Sequence, residues 1–246
     1  MYPSVSGICY DPCTDDYKVL IGLESENSTP TCRYCELFLV AGLKDKHWKH
    51  VESPYGYHSC SKGVLISGFL HWEAYSVHFS DESHKIFAFD PKTNVVSEVP
   101  LPLFMDGEKF SLPGLGVLDG CLSITCRGWD EKNSLPANIF EVFTMREYGN
   151  QESWIPLFEI SNSYHELPCY MKLTHLFFMR NGDVLMLLKH RTIFRYNPRT
   201  KRYIYFKVEE DSSKYGALHL LKVLLRLPVM SGILGNIEGL GTNILG

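Results

Sequence analysis

Along this chain, short runs of apolar residues alternate with clusters of Gly, Pro, Asn and Asp. Ile8-Cys9-Tyr10 and Tyr17–Leu23 flank Asp11–Asp16, and Cys35–Val40 and Trp48–Val51 flank Gly42–Lys46. Gly63–Trp72 holds two runs hinged at Ser67-Gly68; Lys85–Phe89 leads through a turn to Val95–Val99, which Pro100 and Pro102 stop. Leu115–Ile124, Ile139–Met145 and Trp154–Phe158 follow, then Leu173–Phe178, Val184–Leu188, Ile193–Tyr196 and Tyr203–Phe206, with Asn181-Gly182 as a strong hairpin signal. Runs of this length bounded by turn residues predict β-strands joined as hairpins. The nearly continuous apolar run Ile86–Phe89 predicts a strand buried on both faces.

One corner recurs. Tyr10-Asp11-Pro12-Cys13-Thr14, Phe89-Asp90-Pro91-Lys92-Thr93 and Tyr196-Asn197-Pro198-Arg199-Thr200 share an aromatic residue, Asp or Asn, Pro, a free position and Thr. Asp or Asn bonds the backbone ahead of it and Pro presets φ, so each copy specifies a chain reversal. Read as three copies of one hairpin, they make an internal repeat. Trp48, Val96, Trp154 and Tyr205, taken as equivalent residues after the turns, recur at intervals of 48, 58 and 51 residues. That period matches four-stranded, kelch-like propeller blades of about 50 residues. The fold class expected is therefore all-β, a kelch-like β-propeller or partial propeller, with a two-sheet sandwich as the rival. The recurring bulky residue decides for the propeller, as filler of the wedge between blades. Four blades make a small ring, so further blades are expected.

The pattern breaks near the C-terminus. In Gly216–Leu227 the polar residues His219, Lys222 and Arg226 are spaced by three and four, which predicts a short amphipathic helix, with a closing strand or strand pair as the alternative. After Pro228 the chain is Gly-rich, apolar and aperiodic. The domain is expected over residues 1–227, with 228–246 a poorly ordered tail.

With 246 residues, one large β domain can bury a sizeable core. The net charge of -4 and the scattered Lys and Arg leave no basic patch for nucleic acid. No basic-then-apolar leader opens the sequence, so an intracellular setting, cytoplasmic or nuclear, is expected, with the eight cysteines reduced. Ala217–Leu245, the most apolar stretch, is interrupted by Lys222, Arg226 and Glu238, so no membrane span is expected.

Five segments in order resemble the F-box associated domain of plant F-box and F-box/kelch-repeat proteins: Gly7–Val19 its GFGYDPxTDDYKVV opening, Gly63–Trp72 its GxxVNGxLHW, Phe87–Leu103 its FDxxTExFxEVPLP, Leu115–Ile124 its LGxLxGCLSL, and Phe143–Ile160 its WxMKEYGxxESWxKLFxI. The resemblance covers roughly Gly7–Phe206. It implies a non-catalytic substrate receptor of an SCF-type ubiquitin ligase, holding a target protein for ubiquitylation and working by proximity. No F-box, and no segment carrying the family's CNGLxCL and WNPSTR pair, precedes the first motif in these residues. The Skp-type adaptor and the cullin are therefore partners only if an F-box lies upstream.

The chemistry-bearing residues are weighed against plain structural roles. Cys9, Cys13, Cys32 and Cys35 have C-x3-C and C-x2-C spacing, but Cys9 and Cys35 fall in predicted strands and Cys13 takes the corner's free position, so reduced thiols are expected over zinc. His47, His50 and His71 read as strand-end histidines, Asp15-Asp16 as part of the turn, and Glu209-Glu210-Asp211 as a solvated loop. An enzyme on a propeller scaffold would need Asp, Glu, His or metal ligands converging from several repeats. No catalytic, metal or cofactor residue is assigned. Trp48, Trp72, Trp154 and Tyr205 are read as core. Recognition is expected from the variable segments Glu24–Thr31, Tyr75–Glu82, Arg127–Ser134 and Ser161–Tyr170, with Trp129, Tyr164 and His165 as aromatic anchors.

Overall fold

The computed structural model describes residues 3–24, 35–45, 47–52, 57–59, 63–76, 84–103, 110–130, 135–136, 139–161, 173–179, 181–188 and 192–207. Within them the chain folds into four antiparallel sheets, each taken up in sequence order. The first is β1 (Pro3–Asp11), β2 (Asp16–Glu24), β3 (Cys35–Gly42) and β4 (Lys49–Val51). The second begins with β5 (Tyr57–Ser59) and β6 (Val64–Ile66), which both pair with β7 (Phe69–Ser76), and continues through β8 (His84–Asp90) and β9 (Val95–Val99). The third is β10 (Phe110–Leu118), β11 (Cys121–Asp130), β13 (Ile139–Met145) and β14 (Trp154–Ser161), with β12 (Leu135–Pro136) beside β11. The fourth is β15 (Leu173–Phe178), β16 (Val184–Leu188), β17 (Thr192–Asn197) and β18 (Arg202–Lys207).

Each sheet packs face to face on the next. Cys9, Leu20, Phe38, Val40 and Val51 of the first sheet meet Leu70, Trp72, Ala74, Phe87 and Phe89 of the second. Ile86, Ala88 and Val99, on the second sheet's other side, meet Leu122, Ile124, Cys126, Phe143 and Met145 of the third. Phe140, Val142 and Ile160 meet Val184, Met186 and Tyr196 of the fourth. Strand β8 shows why its run is unbroken: alternate residues enter different seams, so both faces are buried, as the sequence predicts. Serial stacking of four-stranded meanders is propeller architecture. A sandwich would deal neighbouring strands into two sheets.

The three copies of the corner share one geometry. Asp11 pairs Asp16, Asp90 pairs Val95 and Asn197 pairs Arg202, so four residues make each turn. The last of the four is left-handed in every copy: Asp15 at φ 50°, Asn94 at 57° and Lys201 at 55°. Their places in the fold differ, however. The first copy joins the first two strands of its sheet and the other two join the last two strands of theirs. The corner is thus shared turn chemistry rather than the marker of one repeated hairpin.

The expected wedge-filling residue also needs correction. Trp48 lies between β3 and β4 and is 50% exposed, whereas Trp154 is buried and Val96 half-buried. Phe38, Trp72, Phe87 and Phe89 fill the first seam instead, with the Phe38 and Trp72 rings stacked 5.3 Å apart. Strands β5 and β12 and the start of β10 were not predicted; β10 carries Pro113 beside a register shift, tolerated on an edge strand. The expected segment Gly216–Leu227 and tail 228–246 lie outside the described residues. Among the described residues no helix is long and apolar enough to cross a membrane.

Candidate partner-binding surface

Antiparallel pairing carries the chain back and forth, so in each sheet the first-to-second and third-to-fourth turns share a rim. Several of these turns are tight and well specified. Asp11 accepts from the Cys13 N–H at 2.9 Å and from Thr14 Oγ1 at 2.8 Å, and Asp90 repeats both bonds with the Lys92 N–H and Thr93 Oγ1. Ser67-Gly68 and Asp119-Gly120 make two-residue turns with both residues at positive φ, the type I′ geometry that follows strand twist.

Polar latches tie the sheets together. Lys18 pairs with Asp11 at 2.9 Å and donates to Asn94 Oδ1 at 2.9 Å and to the Pro91 carbonyl, joining the corner of the first sheet to that of the second. Burial opposes ionisation of Asp11, but bonds from Lys18, the Cys13 N–H and Thr14 outweigh it and hold the carboxyl down at about 2. Between the second and third sheets, buried His71 faces the Val64 carbonyl through Nδ1 at 3.3 Å and Tyr148 Oη through Nε2 at 2.7 Å. The carbonyl can only accept, so Nδ1 carries the proton and Nε2 accepts from Tyr148. Burial pushes His71 down to about 4 and Tyr148 up to about 12. Trp154 Nε1 donates to the Pro100 carbonyl at 2.9 Å in the same seam. Tyr196 Oη donates to the Glu159 carbonyl at 2.6 Å between the third and fourth sheets.

Where the corners of the first two sheets meet, they leave an open groove of about 240 Å³ lined by Tyr10, Pro12, Leu65, Phe69, Pro91 and Lys92, among others. Its walls are largely apolar, and Tyr10 and Leu65 stand exposed. Tyr148, stacked on Phe69 with ring centroids 5.4 Å apart, extends the aromatic surface toward the third sheet. The Asp90 carboxylate is occupied by its own turn. An exposed aromatic and aliphatic groove held by a rigid rim suits burial of a partner's side chain. Among the described residues no group of His, Cys, Asp and Glu is placed to hold a metal ion. Cys9 is turned into the first seam, where burial raises its thiol to about 11, while Cys13 is exposed on the corner.

None of the residues chosen from sequence has a described side chain. Tyr164 and His165 lie outside the described residues, and of Trp129 only the backbone is described, in β11 opposite Pro136. Glu24, Ser76, Asp130 and Ser161, the strand ends leading into the variable segments, stand at the rim opposite the tight turns. Sequence reasoning passed over Tyr10 and Leu65 because each belongs to a hairpin motif. The available signal was that both aim large side chains outward beside a turn.

A family model described as F-box associated beta propeller domain matches residues 3–215. F-box protein CPR1 of Arabidopsis thaliana is 24% identical over an alignment of 229 residues that covers 86% of this chain and 53% of that protein, so the chain spans about half of this relative's length. A solved exo-beta-1,3-galactanase from Phanerochaete chrysosporium aligns with a TM-score of 0.44 at 15% identity, covering 84% of this chain and 46% of its own; a likeness so loose bears on no function.

Proposed function

Because the chain belongs to the F-box associated β-propeller domain family, we propose that it is the target-holding module of an SCF-type ubiquitin ligase. The match across residues 3–215 carries this reading, and the similarity to an F-box protein agrees with it. The chain performs no chemistry of its own. By holding a target protein beside a charged E2 enzyme, it raises the local concentration of the target's lysines, work suited to the cytoplasm or nucleus. A Skp-type adaptor and a cullin join only where an F-box lies upstream of these residues.

Ubiquitin-remnant mass spectrometry on cells producing the chain, with and without Leu65→Glu, tests the reading. Proteins that co-purify with the unaltered chain should change in lysine ubiquitylation. The change is upward when an F-box is attached, and downward when the isolated domain shields its target. Leu65→Glu should weaken capture at least tenfold if Leu65 is an anchor of the interface. Co-purified proteins whose ubiquitylation never responds would sink the ligase role, whereas capture indifferent to Leu65→Glu would move the target to the opposite rim.

A further inference from the structure

The three corners differ in how their carboxylates are compensated. At the first, the Lys18 ammonium stands 2.9 Å from Asp11. At the third, Asn197 donates to Asp183, and Arg195 pairs with that carboxylate at 2.7 Å. At the second, the Asp90 carboxylate accepts only from its own turn, the Lys92 N–H at one oxygen and Thr93 Oγ1 at the other. Among the described residues no Lys, Arg or His forms an ion pair with it. Asp90 is half-buried and lines the groove with Tyr10 and Phe69. The one corner carboxylate without a cation thus stands where a partner's side chain would enter.

The rest of the wall selects the sign of the ligand. Tyr10 Oη donates to Asp15 and Tyr148 Oη to His71, so these rings offer their faces rather than hydroxyl donors. Lys18 is taken up by Asp11, Asn94 and the Pro91 carbonyl. An anion would be left with Lys92, an exposed ammonium on a flexible stem, and would be opposed by Asp90. A cation instead finds aromatic faces and a carboxylate fixed in place, with two of its roughly four lone-pair sites still open. Burial raises the Tyr148 hydroxyl most and the Asp90 charge adds to it, so the field of that carboxylate reaches the aromatic wall. The volume of about 240 Å³ is below the roughly 300–1,000 Å³ of small-molecule sites and suits a single side chain. We propose that the groove binds an arginine side chain of the target protein, its stem against the apolar walls and its guanidinium on Asp90. Arginine suits the site better than lysine, because a planar guanidinium both stacks on rings and meets a carboxylate through two bonds. The inference rests on the groove being the target's site.

Selection of phage-displayed random dodecamer peptides on the full chain tests the proposal. Peptides with arginine beside apolar residues should be enriched, and synthetic copies should bind Asp90→Asn at least tenfold more weakly. Asn197 already serves the same corner, so Asp90→Asn keeps the turn. Replacing the peptide's arginine with citrulline should cost as much against the unaltered chain and little against Asp90→Asn, a cycle that isolates the pair. Lys92→Gln should strengthen binding a few-fold. Enrichment of acidic peptides that Lys92→Gln weakens overturns the proposal, and so do enriched peptides indifferent to Asp90→Asn or an absence of enrichment. The selection contains no ubiquitin, so each of these failures leaves the ligase role standing, and that role falls only on the ubiquitylation readout.

Discussion

At the scale of single residues, the rim depends on buried polar groups held by their own corner or by a neighbouring sheet. Lys18→Met leaves the Asp11 carboxylate buried without its cation, at an expected cost of about 3 kcal/mol. Adding Asp11→Asn should recover most of that loss in urea denaturation, since Asn197 already serves the same corner. The Asp11 carboxyl lies at about 2 rather than 3.8, so its contribution is complete above the ordinary value and disappears as pH falls toward 2. Asp11→Asn should remove that acid step. For His71 the window is higher. The unfolded state takes up a proton near 6.5 and the folded state only near 4, so stability declines as pH drops between them, by up to about 3 kcal/mol. His71→Gln should flatten the urea midpoint between pH 7 and 4.5. None of these partnerships was legible in the sequence: Lys18 and Asn94, or His71 and Tyr148, meet only after two sheets stack.

The scale of the element is where the sequence spoke most clearly. Corners and I′ turns depend on φ preferences and on side-chain bonds within a few residues, so Asp11, Asp90, Asn197, Gly68 and Gly120 act much the same whatever the surrounding fold. Lys201 holds φ 55° with an ordinary side chain. Lys201→Gly should therefore raise stability by about 0.5–1 kcal/mol, and Lys201→Val should lower it by about 1 kcal/mol or more, as thermal unfolding would report. The same local chemistry misled the repeat count. Tyr10 and Phe89 hold the same place before the corner, yet Tyr10 is exposed and Phe89 buried, because one lies on the first strand of its sheet and the other on the third.

For the whole molecule, the seams set the tolerances. A Cβ on Gly7 would lie 2.4 Å from Leu70 Cδ2, and Leu70 is itself buried between the first two sheets. Gly7→Ala should cost about 1–3 kcal/mol, and hydrogen exchange should rise in β1 and β7 while β16 and β17 keep their protection. Leu70→Ala in the same chain should relieve the clash, although it leaves a cavity of its own. Trp48 and Trp154 show the limit of periodicity at this scale: both follow a third-to-fourth-strand turn, yet only Trp154 faces a neighbouring sheet.

By itself the sequence determined most of the strands, their turns and the family, because strand periodicity, left-handed turn positions and motif order are properties of the chain read locally. Tertiary structure decided which side of each strand is sealed, which polar groups latch one sheet to the next, and that the corners of the first two sheets leave a groove between Tyr10, Leu65 and Phe69. Those outcomes depend on contacts between residues far apart in the chain, such as Lys18 with Asn94, and such contacts exist only once the sheets have stacked.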